Sequence, residues 1–122
     1  MSPTVLVVDD SGMARRTTRR ALEAAGYRVI EAEDGLTALE RYYVEKPDVV
    51  LLDLVMRGMY GLDVLAKLRE MNTDVRVVVI SADIQTTSRD LVSAAGASGF
   101  LSKPAKGEDV VAAVERALGA PD

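Results

Sequence analysis

Five short apolar runs divide the chain, and stretches with helical spacing of apolar residues separate them. The runs are Thr4–Val8, Tyr27–Ala32, Val49–Leu52 ending at Asp53, Val75–Ile80 ending at Ser81, and 99–101. The third run is wholly apolar, which is typical of a strand buried on both faces of a parallel sheet. The second run alternates apolar and polar residues, which predicts a more exposed strand at a sheet edge.

A helix is predicted after each strand, because apolar residues recur there at intervals of three and four. The residues expected to face inward are Met13, Thr17, Ala21, Leu22 and Ala25 in the first helix, Leu36, Leu39 and Tyr43 in the second, Leu62, Leu65 and Leu68 in the third, and Val110, Val111, Val114 and Leu118 in the fifth. The fourth, over 84–95, begins with the weak helix formers 85–88, so we expect it to be loosely held.

Five strands alternating with five helices predict an α/β fold, a doubly wound (βα)₅ flavodoxin-like sandwich. Of the common doubly wound orders, 2-1-3-4-5 suits five parallel strands and sets the first and third side by side. The chain has 122 residues, of which 48% are apolar, so we expect a single domain over 1–122.

Composition narrows the functional classes. The 15 Lys and Arg against 19 Asp and Glu give a net charge of -4, which argues against direct nucleic-acid binding. The absence of Cys and His excludes thiolate chemistry and histidine metal ligands, leaving carboxylates, which suit hard cations. With no signal-peptide pattern and no apolar run long enough to cross a membrane, we expect a cytoplasmic protein.

Carboxylates follow the first and third strands. Asp9 and Asp10 follow the first, Asp53 ends the third, and both ends belong to the same sheet edge, so we expect the three to converge. Two like charges about 4 Å apart repel by about 4 kcal/mol at an effective dielectric of about 20, so a cation is needed among them. Mg²⁺ fits this ligand set. Lys103 and Ser81 end the fifth and fourth strands at the same edge.

A carboxylate beside Mg²⁺, with a lysine and a hydroxyl directed at the same point, is the arrangement that in-line phosphoryl transfer requires. The expected product is an aspartyl phosphate at Asp53.

Over nearly its whole length the sequence resembles the response-regulator receiver domains of two-component signalling, the family of the single-domain chemotaxis Y protein. The matching motifs are Asp9-Asp10, Asp53 in Asp-Leu-Val-Met, Ser81-Ala82, Phe100 three residues before Lys103, and Lys103-Pro104. The strand order 2-1-3-4-5 is also that of the chemotaxis Y protein, so it is not independent of the resemblance.

The resemblance implies a role for each matching residue. Asp53 would be the phosphoacceptor; Asp9, Asp10, Asp53 and the main-chain carbonyl of Val55 would hold Mg²⁺; Lys103 would pair with the phosphoryl group; Ser81 would hydrogen-bond it; and Phe100 would be the aromatic switch. It also implies a cis peptide bond between Lys103 and Pro104.

The expected function is that of a stand-alone receiver that takes a phosphoryl group from a sensor histidine kinase or a histidine phosphotransfer protein. It would catalyse only its own phosphorylation and dephosphorylation, and so would not be an enzyme in the usual sense. It would signal to a downstream protein through the surface of its fourth helix, fifth strand and fifth helix, without contacting nucleic acid or membrane, as a monomer or weak homodimer.

Other interpretations stay open at this point. The chain could be the receiver fragment of a larger regulator, or a receiver-like module that is never phosphorylated. A small phosphatase of the haloacid dehalogenase type also forms an aspartyl phosphate, but it usually has a second Asp where this chain has Val55. A flavodoxin-like FMN carrier would need a donor-rich phosphate loop where this chain has Asp9 and Asp10.

Four arginines, at positions 15, 16, 19 and 20, share one face of the first predicted helix. A solvated face is the simpler interpretation, because exposed charges rarely need an explanation. A docking face for an acidic phosphodonor is the alternative hypothesis.

Overall fold

The computed structural model describes residues 2–56, 58, 60–82 and 89–119, without the side chain of Arg89. Strands and helices alternate along the chain. In order they are β1 (Thr4–Val8), α1 (Gly12–Ala24), β2 (Arg28–Ala32), α2 (Gly35–Glu45), β3 (Val49–Asp53), α3 (Gly61–Met71), β4 (Val77–Ser81), α4 (Arg89–Ala94), β5 (Gly99–Ser102) and α5 (Gly107–Gly119).

All strand pairs in the sheet are parallel, and the order is β2-β1-β3-β4-β5, so the predicted topology is confirmed. The strand β3 lies between β1 and β4, with Leu52 aligned to Val8 on one side and to Val79 on the other. Every residue of β3 is buried, as its unbroken apolar run predicts. The carboxyl ends of β1, β3, β4 and β5 therefore form a continuous edge.

Helices cover both faces of the sheet, because successive strand residues point to opposite sides. Leu6 and Val50 belong to a core cluster that includes the buried leucines of α3. Val5 and Val49 belong to a second cluster, formed with residues of α1 and α5. This division is the doubly wound arrangement expected from the alternation of strands and helices.

The inward face predicted for α1 is largely wrong. Only Leu22 is buried in this helix, and Met13 is 73% exposed. The helix packs on α5 through small residues: a Cβ atom at Gly107 would come within 2.9 Å of the Ala21 Cβ. Since α1 has few large apolar side chains, periodicity alone does not show which of its faces makes this close approach.

The inward face predicted for α2 is also wrong. Ala38 and Tyr42 are buried, Leu39 is partly buried, and Leu36 and Tyr43 are exposed, the latter by 73%. Tyr42 can be buried because its hydroxyl accepts a hydrogen bond of 3.0 Å from the Asn72 side-chain amide.

Local signals explain where the first helices begin and end. The Ser11 hydroxyl accepts a hydrogen bond from the Ala14 amide and caps α1. Gly26 follows this helix with a positive φ of 97°, which suits glycine. The Asp34 carboxylate caps α2 in the same way as Ser11, by accepting a hydrogen bond from the Thr37 amide.

The fourth helix is described only from Arg89 onward, and the weak helix formers at 85–88 lie outside the described residues. Within the described ranges, no helix combines the length and apolar composition that a membrane span needs.

Candidate functional site

Three carboxylates meet where β1 and β3 end. Single oxygen atoms of Asp9, Asp10 and Asp53 lie within 4.8 Å of one another. Asp53 is 4% exposed and Asp9 is also buried, while Asp10 is partly buried. Across the described ranges, this is the one group of three acidic residues close enough to share a cation. The structure thus brings together the acids that the strand ends predict to converge.

Lys103 lies among these carboxylates. Its Nζ atom donates hydrogen bonds to Asp53 Oδ2 at 2.8 Å and to Asp9 Oδ2 at 3.2 Å. Burial lowers the pKa of Lys103, but the hydrogen bond and charge of Asp53, together with Asp9, outweigh that effect and raise it above its ordinary value. The lysine is therefore a permanent positive charge at neutral pH. The peptide bond to Pro104 is cis, as the resemblance implies.

Burial raises the pKa of Asp53 above its ordinary value. The ammonium group of Lys103 and the amide of Val55 oppose this rise, while the negative charge of Asp9 adds to it. The Val55 amide donates to Asp53 Oδ1 at 3.0 Å, so each oxygen of the Asp53 carboxylate accepts a hydrogen bond. The metal-binding role of the Val55 carbonyl stays a prediction.

Asp9 is held through four of its atoms. Its amide donates to the Ala32 carbonyl at 3.2 Å, and its Oδ1 atom accepts from the Ser11 amide at 2.8 Å. Its Oδ2 atom accepts from Lys103, as described above. Its main-chain carbonyl accepts from Arg15 Nη1 at 2.5 Å. Both the side chain and the backbone of Asp9 are thereby oriented.

Arg15 and Arg19 form ion pairs with the same carboxylate. Arg15 Nε lies 3.1 Å from Glu31 Oε1, and Arg19 Nη1 lies 2.8 Å from Glu31 Oε2. The other two arginines of the predicted face, Arg16 and Arg20, are exposed. The four arginines are thus not a uniform solvated face, and Arg15 contacts the site directly.

The sequence interpretation missed Glu31 and the inward role of Arg15. Glu31 is one of the polar positions of the alternating strand β2, and it is aligned with Val7 of β1. That register puts Glu31 two residues before the level of Asp9 on the neighbouring strand. A charged residue so near the end of an edge strand was the available signal.

Ser81 is more deeply buried than Lys103, whereas Phe100 is partly buried, as Lys103 is. Ser81 is fully buried at the end of β4, and its main-chain carbonyl accepts a hydrogen bond of 2.9 Å from the Lys103 amide. Phe100 is partly buried and packs against the core cluster that contains Leu52 and Val79. The phosphoryl-binding role of Ser81 and the switching role of Phe100 stay predictions.

A cavity of about 320 Å³ opens beside Asp9 and Lys103. It lies between α1 and the segment that joins β5 to α5, and its lining includes Asp9, Met13, Lys103 and Pro104. Of the three clustered carboxylates, Asp9 is the one that lines this cavity.

The described geometry agrees with a family assignment. The sequence model of the family described as response regulator receiver domain matches residues 5–115. The chain belongs to this family. Response regulator MprA of Mycobacterium ulcerans (strain Agy99) is 36% identical over 118 residues, which cover 97% of this receiver domain's chain and 51% of MprA. The chain thus spans about half the length of this curated relative.

Solved structures resemble this receiver domain over almost its whole length. Chemotaxis protein CheY4 of Vibrio cholerae is 28% identical with a TM-score of 0.91, over 97% of this chain and 100% of that one. The CheY-like receiver domain protein of Methanospirillum hungatei JF-1 has a TM-score of 0.91 at 22% identity, over 97% and 94% of the two chains. At 22% identity, the likeness to the Methanospirillum protein is evidence for the fold alone.

The assignment makes this chain a receiver domain of a response regulator in two-component signalling, in which response regulators receive their signals from histidine kinases. It favours the receiver over a flavodoxin-like FMN carrier or a phosphatase of the haloacid dehalogenase type. The acidic cluster of this receiver domain could hold a metal ion.

Proposed function

We propose that this receiver domain accepts a phosphoryl group on Asp53 from a phosphohistidine donor, in a reaction that depends on Mg²⁺. The observation that carries the proposal is the position of the Asp53 carboxylate, which lies beside Asp9 and Asp10 and 2.8 Å from Lys103 Nζ. A nucleophilic carboxylate, an acidic metal site and a fixed cation are what phosphoryl transfer to an aspartate needs.

The ligand set fits a hard divalent cation. Asp9, Asp10 and Asp53 offer carboxylate oxygens within 4.8 Å of one another, and Mg²⁺ prefers a few such oxygens completed by water. When bound, Mg²⁺ would offset the charge that accumulates on the oxygens of the transferred group.

In the proposed step, a carboxylate oxygen of Asp53 attacks the phosphorus atom of the phosphohistidine. The new oxygen–phosphorus bond forms as the phosphorus–nitrogen bond breaks, and the imidazole leaves with the electron pair and takes a proton from solvent. Lys103 is close enough to contribute positive charge throughout, since its Nζ atom already lies 2.8 Å from Asp53. The amide of Val55 holds the other carboxylate oxygen in place.

We further propose that phosphorylation acts on the surface formed by α4, β5 and α5. The Lys103 amide donates to the Ser81 carbonyl, so a shift of Lys103 toward a phosphoryl group would also displace the end of β4. Phe100 lies three residues before Lys103 and would follow this movement from its partly buried position. A downstream protein would bind the altered surface by a shift in populations.

The proposed donor is a sensor histidine kinase or a histidine phosphotransfer protein, and the proposed compartment is the cytoplasm. The domain would catalyse only its own phosphorylation and dephosphorylation. Its action as a stand-alone receiver is proposed as well. The match covers 51% of MprA, so MprA is about twice as long as the matched region. A native protein of that length would contradict stand-alone action.

The experiment that tests the central proposal is incubation with acetyl phosphate, with and without Mg²⁺, followed by intact-mass measurement. Wild type should gain the mass of one phosphoryl group only when Mg²⁺ is present. Asp53→Asn should gain none, and Asp74→Asn, which changes an exposed aspartate, should be labelled like wild type.

Labelling of Asp53→Asn at the wild-type level would overturn the assignment of the acceptor. Full labelling of wild type in the presence of a chelator would overturn the Mg²⁺ dependence. Transfer from a phosphorylated histidine phosphotransfer protein, measured in the same way, tests the class of donor.

A further inference from the structure

Arg15 links a helix side chain to the main chain of the acidic segment. Its Nη1 atom donates to the Asp9 carbonyl at 2.5 Å. That carbonyl belongs to the peptide group that joins Asp9 to Asp10, so its direction sets the path by which the chain enters Asp10. A hydrogen bond to this carbonyl therefore influences the orientation of two of the three carboxylates in the proposed cation site, those of Asp9 and Asp10.

Glu31 orients the arginine. Its Oε1 atom lies 3.1 Å from Arg15 Nε, while Arg19 Nη1 binds the other carboxylate oxygen at 2.8 Å. The Arg15 side chain is only 17% exposed, so it is held against the protein on both sides of its guanidinium group. Arg19 shares the Glu31 carboxylate with Arg15, and its side chain donates hydrogen bonds to Glu31 and Glu23 rather than to the acidic segment.

We propose that Arg15, oriented by Glu31, is a positioning residue for the divalent cation site. It holds the peptide between Asp9 and Asp10 in the orientation that cation binding needs, so that the carboxylates bind without first being rearranged. This inference rests on the proposed metal-dependent function and adds to it a residue outside the carboxylates and Lys103.

If Arg15 acts only through its charge, its removal should change Mg²⁺ affinity in one direction; if it acts by positioning the carboxylates, the change should be in the other. A positive guanidinium near three carboxylates repels an incoming cation, so its removal alone would tighten cation binding. Loss of an orienting contact weakens binding, because the carboxylates must then be ordered when the cation arrives. The sign of the change in Mg²⁺ affinity therefore separates the two effects.

The test compares Arg15→Gln with Arg19→Gln by titrating Mg²⁺ into ¹⁵N-labelled protein and following the backbone amide signals. Both variants lose an ion pair with Glu31, but only Arg15→Gln loses the hydrogen bond to the Asp9 carbonyl. The Kd for Mg²⁺ should rise about tenfold in Arg15→Gln, in the range known for outer contacts of metal ligands. It should be unchanged in Arg19→Gln, although urea unfolding without metal should show some loss of stability in each variant.

An unchanged Kd in Arg15→Gln would overturn the inference and leave the ion pairs as a tether between α1 and β2. A lower Kd would overturn it in favour of simple charge repulsion. If Arg15→Gln does not fold, Arg15→Lys replaces it: a single ammonium cannot reproduce the two-sided contact, so its Kd should exceed that of wild type, and an unchanged value contradicts the inference.

A further variant separates this inference from the proposed function. Asp10→Asn should greatly weaken Mg²⁺ binding. If Asp10→Asn binds Mg²⁺ as wild type does, the proposed cation site is wrong and the role of Arg15 is overturned with it. If Asp10→Asn loses binding while Arg15→Gln keeps it, the cation site stands and only the role of Arg15 is overturned.

Discussion

Lys103 Nζ lies 2.8 Å from Asp53 Oδ2, so the candidate acceptor carboxylate is paired with a lysine that is distant in sequence. The same ammonium group contacts Asp9 at 3.2 Å. In the protein without a bound cation, Lys103 is thus the positive charge that lies between two buried acids, and its removal should affect both.

Lys103→Met should lower the free energy of unfolding by about 2 kcal/mol in the absence of divalent cations. This is less than the roughly 3 to 5 kcal/mol for breaking a fully buried pair, because the lysine side chain is 29% exposed. Urea unfolding measures the loss. Saturating Mg²⁺ should reduce it, because the cation replaces the missing positive charge. Lys106→Met, at an exposed position, is the matched control, and an equal loss there would contradict the expectation.

Asp53→Asn should raise stability at neutral pH in the absence of divalent cations. Burial raises the pKa of Asp53 in the folded protein, so the folded state binds this proton more tightly than the unfolded chain does. Ionisation of Asp53 therefore costs stability, and the cost disappears as the pH falls through the raised pKa and below the unfolded value. Thermal unfolding of Asp53→Asn and wild type at neutral and acidic pH measures the difference. A variant less stable than wild type at neutral pH would contradict the prediction.

Glu31→Gln should show the opposite pH dependence. The hydrogen bond from Arg19 holds the pKa of Glu31 below its ordinary value, with a further contribution from Arg15 and with burial opposing both. The stabilisation is thus present above the unfolded pKa and is lost as the pH falls through the lower folded pKa. The variant should lose about 1 kcal/mol at neutral pH. Urea unfolding should show this difference vanishing in acid, while Glu33→Gln, at an exposed position, should behave like wild type.

Gly61→Ala should disturb the loop that follows Asp53, the proposed acceptor. An added Cβ atom would lie 2.5 Å from Leu54 Cα and 2.9 Å from the Asp53 carbonyl oxygen, both of which are backbone atoms that cannot rotate away. We expect a loss of about 1 to 3 kcal/mol in stability. Labelling of Asp53 by acetyl phosphate should also slow. Gly119→Ala, where no atom lies within 4 Å of the added Cβ, should show neither effect.

The central strand and the carboxyl edge of the sheet could be predicted because their signals are local and strong. An unbroken apolar run such as that of β3 has few alternatives to a buried strand, and Asp53 follows it directly. Once the strand order is set, Asp9, Asp53 and Lys103 come to the same edge. The distance from Lys103 Nζ to Asp53 does not follow from the register alone, because β4 lies between β3 and β5.

The helix faces could not be predicted equally well. In α2 the residues Leu36 and Tyr43 share one possible face, while Ala38 and Tyr42 share the adjacent one. Packing of Ala38 and Tyr42 into the core and the hydrogen bond between Tyr42 and Asn72, which are 30 residues apart, favour the second. The pairing of Arg15 with Glu31 is a similar case, because it joins a helix to a strand and periodicity carries no information about partners.

Asp9 and Lys103 are separated by 94 residues, yet they share a hydrogen bond. The ribosome makes the acidic end of β1 before it makes Lys103, so a chain caught between these points, or partly unfolded, has its carboxylates without their lysine. Competence to receive a signal would then coincide with completion of the sheet. An incompletely folded chain would present Asp53, the proposed acceptor, without the neighbouring positive charge of Lys103.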